Sequence, residues 1–205
     1  MQPNQQPKAA VGAAAALVLL VTLSACATGG SGVVYNSNFT AGYDPRSLGA
    51  AMSRAPLLVE TFGSPAANLA QESVSRTTAL GLRQYGSPWL PRNYTDSAAD
   101  AGTAPYRLRI AFGLPKAFNR QHLCGDGMST QAIEAVRGSA DSGSSRTLAA
   151  LCRGDRALGV AEGSPGANPD IAGERFARFV GLLGREVLPR TNPVLDDDCV
   201  FRACD

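Results

Sequence analysis

Between residues 105 and 113 the chain alternates, with Tyr106, Leu108, Ile110 and Phe112 on one side and Arg107 and Arg109 between them. A period of two predicts a strand with one buried and one solvated face. Further on, the period changes. Ala172, Phe176, Phe179, Val180, Leu183 and Val187 recur at three and four residues, with Arg175, Arg178 and Arg185 on other faces. That stripe predicts an amphipathic helix resting on a core. Asp170 is placed to cap it and Pro189 to end it.

Other segments carry shorter patterns. Residues 56–62, PLLVETF, are apolar and β-prone and predict a strand. Ser64-Pro65 has the form of a helix start, and Leu69, Val74, Thr77 and Leu80 follow at near-helical spacing up to Gly86. Asp44-Pro45 predicts a short helix to about Arg54, preceded by an extended arm over 33–40. Residues 147–163 predict a hairpin that turns at Arg153-Gly154-Asp155-Arg156. Ser129 is placed to cap a short helix over 130–136, and 138–145 is a glycine and serine loop. The order is strand, helix, strand, strand, strand, helix. It predicts an α+β two-layer sandwich: a mostly antiparallel sheet of about four strands with two main helices on one face. This order resembles small α/β modules of periplasm-facing lipoproteins, among them activators of penicillin-binding proteins and assistants of secretion channels. The likeness spans about residues 56–188 and is one of fold, which does not assign an activity.

The N-terminal pattern belongs to none of these elements. Residues 1–8 are polar with one charge, Lys8, and residues 9–22 are an apolar run, AAVGAAAALVLLVT. A basic start before a short hydrophobic stretch is the layout of a secretory signal. The run is shorter than the roughly 20 residues that cross a bilayer comfortably. Leu23-Ser24-Ala25-Cys26 follows it and resembles the lipobox of bacterial lipoprotein precursors. The resemblance implies cleavage before Cys26, acyl chains on its sulfur and acylation of the new amino group. A thiol suits that chemistry because its sulfur is a far better nucleophile than a hydroxyl. The alternative is an ordinary cleavable signal with Cys26 a bystander. Ala27 occupies the place where an aspartate would resemble an inner-membrane retention signal. The expected location is therefore the cell envelope, on the periplasmic leaflet of the outer membrane if the host has two membranes. The expected divisions are a signal peptide over 1–25, a lipidated tether over 26–32 and an N-terminal arm with a short helix over 33–55. An α/β domain over 56–188 and a disulfide-stapled tail over 189–205 complete the chain.

Composition narrows the field further. Formal charge is +2, and only Lys8 and Lys116 of the 19 basic residues are lysines. A near-neutral chain with scattered arginines gives no reason to expect a nucleic-acid partner. Beyond Cys26 there are four cysteines: Cys124, Cys152, Cys199 and Cys204. An even number in an exported chain predicts disulfides. Three pairings exist, of which Cys124–Cys152 with Cys199–Cys204 is favoured by the proximity of the latter two in sequence. Zinc is the weaker alternative, since there is no CxxC pair and His122 is the sole histidine.

Chemistry is sparse. His122, with Asp126 and Ser129 close in sequence, is the only base for a hydrolase, and no G-x-S-x-G elbow presents a serine. Asp196-Asp197-Asp198 lacks the spaced ligands of a calcium loop. No catalytic residue, metal or cofactor is expected. Trp89 lies between Pro88 and Pro91, with Leu90 and Tyr94 nearby. A proline-stiffened aromatic suits contact with a partner, and the alternative is that Trp89 folds back over the sheet. The leading expectation is a non-enzymatic envelope module that binds another protein. A small-ligand or lipid carrier and a hydrolase using His122 are the alternatives.

Overall fold

In the computed structural model, residues 32–66, 69–125, 128, 146–167 and 169–196 are described. They all lie within one compact unit, Ser31–Asp205, separate from the unit Met1–Gly30. The chain forms strands β1 (Val33–Phe39), β2 (Leu57–Phe62), β3 (Tyr94–Thr95), β4 (Tyr106–Phe112), β5 (Thr147–Arg153) and β6 (Arg156–Ser164). Among the described residues the α-helices are α1 (Pro45–Met52), α2 (Gln71–Tyr85), α3 (Ala98–Ala101), α4 (Glu174–Val187) and α5 (Pro193–Asp196). A 3-10 turn covers Arg120–Cys124.

The class is α+β, as the patterns predict, but the sheet has six strands where about four are expected. Their order is β1-β6-β5-β4-β2-β3. The sheet is also mixed. β1, β6, β5 and β4 pair antiparallel in turn, whereas β2 runs parallel to both β4 and β3. Parallel neighbours need a crossover, and α2 is the element that carries the chain back from β2. The two additional strands are the N-terminal arm, which pairs along β6, and the dipeptide Tyr94–Thr95 beside Leu57 and Leu58.

The helix boundaries shift for local reasons. Asp44 caps α1 as expected, accepting from the Arg46 N–H at 3.0 Å. Ser64 does not open α2; its hydroxyl closes a tight turn with Ala66, and the helix begins at Gln71. Asp170 accepts from the Ala172 N–H at 3.1 Å and so caps the turn ahead of α4, not the helix itself. The hairpin forms as predicted, with Gly154 at φ +62 in a two-residue turn between Arg153 and Arg156.

One sheet face carries Val59, Leu108, Ile110, Phe112, Ala149 and Leu151, under Val74 and Leu82 of α2 and Phe176, Phe179 and Leu183 of α4. The small residues of β6 make room for rings there. A Cβ at Gly159 would lie 2.7 Å from the Phe39 ring, and one at Gly163 would lie 3.1 Å from that of Phe179.

The second face is not solvated, which corrects the two-layer expectation. Ala111, Leu148, Ala150, Cys152 and Val160 lie under Leu114, Leu123, Cys124 and Met128. The segment 114–125 crosses this face as a strap and forms a partial third layer. Cys124 of the strap is joined to Cys152 of β5, with Cα atoms 5.4 Å apart, in agreement with the expected pairing. Cys199 and Cys204 lie outside the described residues, as does the helix expected after Ser129.

Two arginines hold the strap. Arg109, expected in solvent, is only 7% exposed. Its Nε donates to Glu60 at 2.7 Å, and its Nη1 donates to the carbonyls of Leu123 and Gly125 at 3.2 and 3.0 Å. A buried guanidinium is tolerated where a carboxylate and carbonyls replace its water. Arg146 pairs with both oxygens of Glu162 and donates through Nη1 to the carbonyls of Pro115, Lys116 and Phe118.

Candidate functional site

The aromatic loop after α2 folds inward. Leu90 is 4% exposed and Tyr94 1%, so both lie in the core and not at a surface a partner could reach. Leu90 and Tyr94, expected beside Trp89 as partner contacts, are thus core residues. Trp89 is half-buried and packs against the core. Its Nε1 donates to the Leu188 carbonyl at 3.0 Å, alongside the Ser87 hydroxyl at 2.7 Å. The carbonyl at the end of α4 thus receives two donors from the loop, and the prolines stiffen a closure instead of a presented anchor. Burial raises the Tyr94 hydroxyl to about 12, and among the described residues no hydrogen-bond partner meets it. Tyr43 is raised well above the ordinary tyrosine range, first by burial; its hydroxyl donates to the Pro189 carbonyl at 2.5 Å.

The sequence-predicted chemical groups do not converge. His122 is exposed on the 3-10 turn, while Asp126 and Ser129 lie outside the described residues. Gly154 and Asp155 form the hairpin turn after Arg153, the last residue of β5, as their residue types suggest. The side chain of Asp196 and all of 197–198 lie outside the described residues. Among the described residues no group of three or more histidine, cysteine or acidic side chains is arranged to hold a metal ion.

Among the described residues, two clefts lie elsewhere on the surface. The first is a cleft of about 540 Å³ between α1, the turn from α3 into β4, and the end of β5. Ala51, Ala55, Ala101 and Ala104 supply methyl groups to its lining. Arg54, Arg153 and Asp100 bring charge to it, and Ser47, Thr103 and Tyr106 bring hydroxyls. The Arg153 guanidinium lies over the Tyr106 ring, 5.9 Å from its centroid. The second cleft, about 550 Å³, is more polar and involves Asn38, Asn119, Gln121, Asp155 and Arg156. Both volumes fall in the range of small-ligand sites, about 300–1,000 Å³.

Sequence patterning does not find the first cleft. Arg54 and Arg153 are far apart in the chain, with no motif linking them, and they meet only because β5 ends near the C-terminus of α1. Arg54 stands at the end of a predicted helix, which carries no chemical signal by itself.

The class that these features define is an α+β domain with a six-stranded mixed sheet, helices on one face and a disulfide-linked strap on the other. Comparison with protein-family models, curated proteins and solved structures finds no match to this chain.

Proposed function

We propose that this protein is an envelope lipoprotein, held to a membrane by acyl chains on Cys26, whose α+β domain is a non-catalytic binding module for another envelope protein. The observation that carries the reading is Leu23-Ser24-Ala25-Cys26 directly after a short apolar run. Two features of the domain support it. The Cys124–Cys152 disulfide suits an oxidising compartment outside the cytoplasm. β1 begins at Val33, so the tether between anchor and domain is six residues, 27–32. With Ala27 after the cysteine, the periplasmic leaflet of an outer membrane is the proposed location in a two-membrane host.

The interior supports surface binding over enclosure of a lipid. Val59, Leu82, Leu108, Ile110, Phe179 and Leu183 fill the space between helices and sheet and are nearly inaccessible. The clefts lie outside that core. Among the described residues no helix is long and apolar enough to cross a membrane.

Mass spectrometry of the protein from its native membrane fraction tests the anchor. The expected N-terminal peptide begins at Cys26 and carries acyl mass, and Cys26→Ser is expected to carry no acyl mass and to be released or mislocalised. A bare cysteine, or an unprocessed N-terminus, overturns the proposal. Crosslinking in whole cells followed by copurification tests for the envelope partner, which is expected with the wild type and reduced when Cys26→Ser displaces the domain.

A further inference from the structure

The cleft beside α1 combines features that a structural surface does not need. Neither Arg54 nor Arg153 enters an ion pair or a side-chain hydrogen bond among the described residues; Arg120 and Arg156 of the second cleft are likewise unpaired there, but the cleft beside α1 adds a ring under one guanidinium and a lining of alanine methyls. Two guanidiniums therefore face one concave surface against a single carboxylate, Asp100. Stacking on Tyr106 restrains the Arg153 head and reduces the freedom it would lose on binding.

We infer that this cleft binds the C-terminal end of a short peptide with small side chains. Each part of the lining matches one part of such a ligand. A guanidinium presents paired N–H donors that fit a carboxylate, and here two are available. Asp100 and the hydroxyls of Ser47 and Thr103 supply acceptors for peptide N–H groups. Asp100 has capacity left, since among the described residues its side chain accepts one hydrogen bond, from the Thr95 hydroxyl at 3.5 Å. The alanine methyls and Pro105 form an apolar surface that suits methyl-sized side chains. A fatty acid would leave the acceptors unused. A phosphate would leave the methyls uncovered, and its second charge would face Asp100.

This site goes beyond the anchored reading and does not depend on it, because every lining residue lies in the folded domain. A chain with a bare Cys26 would keep the cleft.

Isothermal titration calorimetry on the full-length chain in detergent, wild type and Cys26→Ser, provides the test. The probes are N-acetyl-alanyl-alanine, its C-terminal amide, hexanoate and inorganic phosphate. Saturable binding of the free acid is expected in both proteins. The amide is expected to bind at least about tenfold more weakly, and Arg153→Ala and Arg54→Ala each to weaken the acid by a similar factor, the loss of one charge-assisted contact. Arg76→Ala, on the outer surface of α2, is expected to change nothing. Thermal unfolding of each variant checks that it is folded. The inference is overturned by no saturable binding up to about 10 mM, by equal affinity for acid and amide, or by arginine variants that bind as the wild type does. Tighter binding of hexanoate or phosphate overturns the peptide assignment. Retained binding in a Cys26→Ser chain that has left the membrane separates this site from the anchor.

Discussion

Glu162 shows how a single carboxylate links the sheet to its strap. Hydrogen bonding from Arg146 first, and then the charge of that arginine and the Tyr35 hydroxyl, hold its carboxyl below the usual glutamate range against an opposing effect of burial. A depressed value in the folded state contributes stability that is complete above the ordinary glutamate pKa, about 4.3. It is lost as pH falls through the lower folded value. Urea unfolding between neutral pH and pH 3 is therefore expected to give a steeper loss for wild type than for Glu162→Gln below about pH 4; parallel profiles would remove Glu162 from the acid response. At neutral pH, Arg146→Ala is expected to cost roughly 2–3 kcal/mol, because it strands Glu162 and three strap carbonyls. The sequence held no sign of this role. Arg109 and Arg146 resemble other arginines in the chain, and Arg109 fell on the face assigned to solvent because alternation within one strand cannot reveal what covers its polar side.

Helices α2 and α4 meet through glycines, a feature the apolar stripe did not disclose. A Cβ on Gly181 would collide with the Cβ and backbone of Tyr85, and one on Gly81 would lie 3.1 Å from the Ala177 backbone. At Gly184 the obstacle is instead the tip of Leu82, 2.5 Å away. Backbone cannot retreat without moving a helix, whereas a leucine tip can turn. Chemical denaturation is expected to show Gly181→Ala destabilised by about 2–3 kcal/mol despite alanine's better helix propensity, and Gly184→Ala by about 1. Equal costs would mean that the helices separate freely. The elements that patterning found, β2, β4, α1, α2, α4 and the hairpin, are those with a long run or local turn chemistry, although α2 starts later than its Ser64-Pro65 signal suggests. β3 escaped notice because two residues carry no period; residues 33–40 are legible as an extended arm, but their place in the sheet as β1 is set by β6, a partner more than 100 residues away. The same distance hid the cleft: Arg54 and Arg153 acquire a shared role only when β5 is registered against β4.

For the molecule as a whole, the strap is what turns a half-covered sheet into a buried one. Linking Cys124 to Cys152 across 28 residues constrains the unfolded chain by about 3–4 kcal/mol in the chain-entropy treatment. The double variant Cys124→Ser, Cys152→Ser is expected to lose about that much in a denaturant titration. It is also expected to bind more of an apolar dye, as Leu148, Ala150 and Val160 become accessible; unchanged stability would show that the two arginines suffice to hold the strap. The amino-acid sequence on its own determined the α+β class, the hairpin and its turn, the favoured Cys124–Cys152 pair, and the case for an anchor at Cys26, since each of these depends on short-range order or on counting. Only the tertiary structure decided the parallel placement of β2, the third layer, the burial of Arg109, Leu90 and Tyr94, and the cleft. The physical reason is that burial and pairing are relations between distant segments, and a local pattern states what a residue prefers without stating which neighbour it will meet.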